Sequence, residues 1–175
     1  MASSILSTIR TVLNLKILHI FFKKIRLLMS KTEMERQRIA RIPRYKMGKT
    51  SLLGNPITFV DSATFLLGYS EIFEAEIYNF KSHSDAPIIL DCGANIGLSI
   101  IYFNRLFPKS EIIAFEPDPE IFSVCSNNIQ SSGIENVSLH NDAVWIKDGT
   151  IEFKNEGGYS GRIIKPGDTE RISTV

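Results

Sequence analysis

The chain has little of what metal, disulfide or redox chemistry requires: its 175 residues include two cysteines, three histidines and one tryptophan. Cys92 and Cys125 are too few for a disulfide framework, and neither has a CxxC partner or a nearby histidine cluster. Both read as reduced structural thiols. His19, His83 and His140 are too scattered to form a local zinc signature, so no metal site is expected. Long apolar runs are also lacking. Residues 2–29 are mostly apolar, but Arg10, Lys16, Lys23, Lys24 and Arg26 break them well short of the roughly 20 consecutive apolar residues a membrane-spanning helix needs. The recurring charges argue equally against a secretory signal, in which charges precede an unbroken apolar stretch. A cytoplasmic chain is the expectation. No internal repeat or low-complexity tract is visible.

The 43% hydrophobic and 22% charged composition is that of one globular domain. Charge is divided unevenly along it. Residues 1–50 hold twelve Lys/Arg against two Asp/Glu, a net +10, and residues 51–175 hold eight against seventeen, a net −9. A basic segment therefore precedes an acidic globular part. In the segment, Ile5, Ile9, Val12, Leu13, Leu18, Phe21, Phe22, Ile25 and Leu28 recur mostly at helical spacing. Such a helix can pack on the domain or a partner subunit, or lie as a peripheral contact on an anionic membrane surface through residues 2–29. The basic run at 31–47 has no interleaved aromatics or recognisable binding motif, so no nucleic acid partner is expected.

Three stretches follow: a basic helical extension (1–49), a hairpin and helix lead-in (50–86) and the main domain (87–175). In the lead-in, Ser51-Leu52-Leu53 and Ile57-Thr58-Phe59-Val60 flank Gly54-Asn55-Pro56, which predicts two short strands across a turn. Ser70 reads as the cap of a helix over 70–80, with Ile72, Phe73, Ile77 and Phe80 on one face. From Pro87 the pattern alternates. Strands are predicted at Ile88-Ile89-Leu90, Ile112-Ile113-Ala114-Phe115 and Val137-Ser138-Leu139, with helices over 98–107 and 119–129 between them. Short apolar strands alternating with helices predict an α/β fold with a doubly wound parallel sheet.

The turn after the first of these strands reads Asp91-Cys92-Gly93-Ala94-Asn95-Ile96-Gly97. Ligands of open α/β sheets bind beyond the carboxyl ends of the strands. Gly93 would let the chain turn and a ligand come close, and Gly97 would let the helix start against the strand. The new helix offers free N–H groups to an anionic group. Glu116, at the next strand end, can accept two hydroxyl hydrogens of a ribose, so the expected ligand is a nucleoside. Asp142, after the third strand, could accept from an adenine amino group. Taken singly, each of these residues also fits a plain structural role in a turn or helix start; their joint placement on one sheet edge is what points to a ligand. A dinucleotide fingerprint would need glycines at 93, 95 and 98, where this chain has Gly93, Asn95 and Leu98. Asp91 would also sit badly beside a pyrophosphate, and it suits a ligand that carries an ammonium group.

The run from Ile89 to Gly97, followed by Ala114-Phe115-Glu116-Pro117-Asp118-Pro119 and by Asn128, resembles the FkbM-type methyltransferases over roughly residues 50–175. Their pattern is an aspartate, then Gly-Ala-Asn-x-Gly, then Phe-Glu-Pro after the second strand. The resemblance implies a Rossmann-like class I methyltransferase fold, S-adenosylmethionine as methyl donor and O-methylation of a hydroxyl on a sugar or other small natural product. It carries cofactor contacts to Asp91, Gly93, Ala94, Asn95, Gly97 and Glu116, and further to Asp142 and Ala143. Asn128 is expected to cap or brace its own helix. Members of that family continue into a fourth core strand ending in Asp-Ile-Glu-Gly, whereas this sequence ends at Val175 without one. The expectation is therefore the N-terminal half of the sheet, in a truncated chain.

No residue stands out as a general base. His140 lies near the right edge but fits an ordinary strand-end histidine. Gly157-Gly158-Tyr159-Ser160-Gly161-Arg162 suits either a lid or a hairpin connection. The rivals to an O-methyltransferase are a non-catalytic module that binds cofactor weakly or not at all and acts through its basic N-terminal helix, and a nucleotide-dependent enzyme of another type that shares the fold.

Overall fold

The computed structural model describes residues 31–146, and beyond them the backbone of the short strands at 152–155, 161–163 and 173–174. The basic helix expected over 2–29 and the glycine-rich stretch at 157–160 lie outside the described residues. The chain divides into two compact units, Met1–Arg38 and Ile39–Val175. In the first, the described residues are helical, and the helix runs on to residue 40 (α1, 31–40). Its exposed face is laced by Arg38 forked onto Glu35, both bonds 2.7 Å, and by Gln37 donating to Glu33. Pairs spaced by one helical turn support an isolated helix by a few tenths of a kcal/mol, about 0.2–0.5 each. No helix among the described residues is long and apolar enough to cross a membrane.

The second unit opens with an antiparallel hairpin of β1 (Gly48–Thr50) and β2 (Ile57–Phe59). The first strand lies three residues earlier than Ser51-Leu52-Leu53, which instead form the turn. Thr50 Oγ1 accepts from the Leu52 N–H at 3.1 Å and the Gly54 N–H closes on the Ser51 carbonyl at 2.9 Å, so the backbone groups a strand would need are already used. Gly48 faces Phe59 across the pair, and a side chain at 48 would overlap the Phe59 ring.

A helix that the sequence pattern did not indicate follows, α2 (Ser62–Tyr69), capped by Asp61 accepting from the Thr64 N–H at 2.9 Å. Asp61 is buried. Its carboxylate also accepts from the Arg44 Nε at 2.7 Å and the Tyr45 N–H at 2.8 Å, which together hold it well below the usual carboxylate range against the cost of burial. Of the helix predicted over 70–80 only the first turn forms: Ser70 does not cap it but carries α2 on into one π-helical turn, Ser70–Glu74, and Glu76 takes a left-handed backbone at φ 50°. Of the apolar stripe that suggested a helix, Ile72 is buried and Phe73 packs on the core, whereas Ile77, beyond the turn, is left 55% exposed. Aromatic packing decides the path: Tyr69 stacks on Phe73, Phe73 meets Tyr102 edge-on, and Tyr78 and Phe80 close on Phe103.

The centre is a parallel sheet in the order β3 (Ile88–Asp91), β4 (Glu111–Phe115), β5 (Val137–His140), linked through α3 (Leu98–Leu106) and α4 (Pro119–Ser131). These elements match the expected strand and helix alternation to within two residues, and the α/β class with them. Register places Ile89 beside Ile112 and Asp91 beside Ala114 on one buried face. The start of α3 lies against the middle of α4, where Gly97 approaches Cys125. Ile88 and Leu90 point the other way and are 72% and 61% exposed. Further along, the backbone of β6 (Glu152–Asn155) pairs antiparallel with β7 (Gly161–Ile163) and β8 (Ser173–Thr174).

Gly97 has φ 89°, and a Cβ there would lie 3.1 Å from the Cys125 sulfur. Both backbone strain and crowding therefore oppose a side chain. Gly97→Ala is expected to lower stability by about 1–3 kcal/mol, read as an earlier urea midpoint with an unchanged slope; an unshifted midpoint would contradict the close approach of α3 and α4.

Candidate functional site

The carboxyl ends of β3, β4 and β5 form one edge, and the loops leaving them are tied to one another. Asp91 ends β3. Its Oδ2 accepts from the hydroxyl of Ser99, the second residue of α3, at 2.6 Å, and the Gly93 N–H also supports it. Beyond Gly93, the Ala94 N–H donates to the Phe115 carbonyl at 2.9 Å and the Gly97 N–H turns back to the Ala94 carbonyl at 2.8 Å. Asn95 sits between them at φ 48°, a conformation uncommon for a residue with a side chain but tolerated by asparagine. Its own Oδ1 accepts from the Ile96 N–H at 2.8 Å.

Glu116 leaves β4 buried and bridges two loops. Its Oε2 accepts from the Asn95 N–H at 2.8 Å and its Oε1 from the Asp118 N–H at 3.0 Å. Asp118 in turn caps α4, accepting from the Glu120 and Ile121 N–H groups at 2.8 and 3.0 Å, with Pro119 in the first helical position. The third strand joins in through the Glu116 N–H, which donates to the His140 carbonyl at 3.0 Å, and through Asn141 Nδ2, which donates to the carbonyls of Glu116 and Pro117 at 2.8 and 3.1 Å.

Of the residues singled out in the sequence, Asp91, Ala94, Asn95, Gly97 and Glu116 thus lie in one bonded cluster. Gly93 is exposed, and a Cβ built on it meets nothing within 4 Å. Its backbone is outside the left-handed region, so neither the turn nor the surrounding protein requires glycine there; what the missing side chain leaves is open space over the loop. Asp142 is exposed and Ala143 half-buried in the turn after β5, one strand further along the same edge. His140 stacks on Phe115 with ring centroids 5.1 Å apart. Asn128 does not brace its own helix: its amide bonds to β2 and to the Asp91–Gly97 loop.

Four contributors were not read as site residues from sequence: Ser99, Asp118 and Asn141, which fix the two acids and their loops, and Asn128. Asp118 before Pro119 carries a cap signal that could have been read; Ser99 meets Asp91 eight residues away once the turn into α3 is folded, and Asn128 and Asn141 become visible only when distant segments meet.

Electrostatically, the cluster is acidic. Burial pushes the Asp91 carboxyl above its ordinary value, against the bonds from Ser99 and Gly93. Burial does the same at Glu116, opposed by the Asp118 and Asn95 N–H groups and reinforced by the charges of Asp118 and Asp91. Burial also raises the Cys125 thiol, with help from the charges of Glu116 and Asp91. Among the described residues, neither Asp91 nor Glu116 has a cationic side chain at ion-pair distance. Uncompensated carboxylates at the end of a parallel sheet suit a ligand that is cationic and rich in hydroxyl donors.

No family model matches the chain. Among characterised proteins it is 32% identical over 83 residues to Methyltransferase 1 of Beauveria bassiana, covering 47% of this chain and 33% of that one. It is 43% identical over 61 residues to Methyltransferase sdnD of Sordaria araneosa, covering 35% and 24%. To the 2-O-methyltransferase NoeI of Sinorhizobium fredii it is 33% identical over 72 residues, covering 41% and 29%. The chain thus spans a third or less of the length of these relatives. Among solved structures, TYW2 of M. jannaschii in complex with AdoMet aligns with a TM-score of 0.43 at 20% identity, covering 57% of this chain and 44% of that one.

Because both acids titrate above their ordinary range when folded, the folded chain binds protons more readily than the unfolded one between the ordinary and the raised values. Stability attributable to this pair therefore rises as pH falls through that window and is least at neutral pH. Urea midpoints followed from pH 7 toward pH 4 should show this gain in the wild type and a flatter course in the Asp91→Asn, Glu116→Gln double variant. Parallel courses would contradict the charged, desolvated state of the pair.

Proposed function

We propose that the chain carries the cofactor-binding part of an S-adenosylmethionine-dependent methyltransferase whose acceptor is a hydroxyl on a sugar or another small natural product. The observation that carries this is the pair Asp91 and Glu116, drawn together at the sheet edge without a counter-cation beside open space at Gly93. The similarity to three methyltransferases supports the activity, and that one of them is a 2-O-methyltransferase supports oxygen as the acceptor atom.

The residues fit the cofactor. Each Glu116 oxygen holds one backbone N–H and keeps lone-pair capacity for a ribose hydroxyl. Asp91, fixed by Ser99, offers its other oxygen to an ammonium group, and the first turn of α3 offers free N–H groups to a carboxylate. Gly93 leaves room for the ligand against the backbone. Asp142 and Ala143, one strand along, are suited to meet the adenine. Bound here, S-adenosylmethionine would supply an electrophilic methyl group on a sulfonium. The chain's own task is to hold that group in line with the acceptor oxygen. Free thiols at Cys92 and Cys125 suit a reducing compartment such as the cytoplasm. Peripheral membrane contact through residues 2–29 remains part of the proposal, on the basic and apolar pattern of that segment.

Calorimetric titration tests the reading. S-adenosylmethionine should bind saturably and NAD should not, and Asp91→Ala should weaken binding about 10- to 100-fold, the loss of one charge-assisted bond, while circular dichroism stays unchanged. Equal affinity in the variant, or equal binding of NAD, would overturn it.

A further inference from the structure

Deepening that reading, and resting on it for the ligand, we propose that Asn128 is a positioning residue of the site, which sets the Asn95–Gly97 turn from α4 and anchors it to the lead-in hairpin. Asn128 is 1% exposed, the most deeply buried amide side chain in the described core. Its Oδ1 accepts from the Thr58 N–H at 2.8 Å, and its Nδ2 donates to the Thr58 carbonyl at 2.9 Å and to the Ile96 carbonyl at 2.9 Å. Both donors are used, and the acceptor is engaged as well.

The placement of the third bond matters most. Ile96 lies between two left-handed residues, Asn95 at φ 48° and Gly97 at φ 89°; glycine takes this backbone freely, but at Asn95 it is uncommon and is held by its surroundings. The Asn95 N–H is also the group that Glu116 holds. A rotation of the Ile96 peptide would therefore disturb the Glu116 carboxylate without touching it. Thr58 supplies the fixed end, since it is paired with Lys49 in the hairpin. The lead-in hairpin, about 40 residues before the loop, is in this way part of the ligand site. An aspartate at 128 keeps the acceptor and loses both donors when ionised. An alanine loses all three bonds.

The test is amide hydrogen exchange on the ligand-free chain, alongside S-adenosylmethionine affinity. In Asn128→Asp and Asn128→Ala, exchange over Asn95–Leu98 should quicken by about tenfold or more while amides within β4 and α4 keep their protection. Affinity should fall by a similar factor with the chain fully folded. For Asn128→Asp, the deficit relative to wild type should narrow as pH falls, because the protonated acid regains one donor. Acceleration spread evenly over the sheet, or unchanged affinity in the folded variants, would overturn the proposal and leave Asn128 a packing residue. Should both variants fail to fold, the Asn128 side-chain amide resonances of the wild type decide: a shift on saturation with S-adenosylmethionine supports the proposal, and no shift overturns it. If the wild type does not bind S-adenosylmethionine, the functional reading fails, and the exchange response over Asn95–Leu98 judges the positioning role by itself.

Discussion

Glu116 is the residue through which the three strand ends are joined, its carboxylate holding the loop after β3 and its backbone N–H and carbonyl holding the end of β5. A buried charge costs several kcal/mol unless hydrogen bonds replace its water. Here the replacement comes from two backbone N–H groups, one on the loop after β3 and one at the start of α4. To bring those donors within reach, Asn95 must take a left-handed backbone, and Gly97 must turn the chain into α3 where any side chain would press on Cys125. The requirement to satisfy one acid therefore fixes the conformation of two loops. The same loops form the edge at which a ligand of an open α/β sheet is expected.

That satisfaction is incomplete by design of the chemistry: a carboxylate can accept about four hydrogen bonds, and Glu116 takes one at each oxygen from the backbone around it. Together with Asp91, it gives the edge two raised carboxyl groups that repel each other. A bound cation with hydroxyl donors would relieve both the repulsion and the lost hydration. The methyltransferase proposal rests on this electrostatic complementarity more than on any glycine. Gly93 contributes by leaving space, and Gly97 by allowing helix packing, so two glycines of one motif serve different physical ends.

The sheet was legible because its strands are short apolar runs with punctuated helices between them, a pattern in which burial and chain order coincide. Asp91, Gly97 and Glu116 could be placed for the same reason, since each sits where a strand ends or a helix begins. The lead-in was less legible. Ser62–Tyr69 carries no clear polar face, so its helix is signalled only by the Asp61 cap, whereas the residues after Ser70 have helical spacing but after one turn are drawn off by aromatic contacts to Tyr102 and Phe103. Ser51-Leu52-Leu53 reads as a strand by composition, yet Thr50 and Gly54 turn it. Ser99, Asn128 and Asn141 could not be assigned because their roles depend on partners up to 70 residues away.

The central claim is that one nucleoside sulfonium ligand meets the carboxyl edge of this sheet. Amide chemical shifts of the nitrogen-15-labelled chain, followed as S-adenosylmethionine is added, test it residue by residue. The account requires Gly93, Asn95, Glu116 and Asn141 to shift together and saturate at one concentration, with the exposed face at Ile88 and Leu90 undisturbed. Shifts confined to other parts of the chain, or none at saturating ligand in a folded sample, would contradict it.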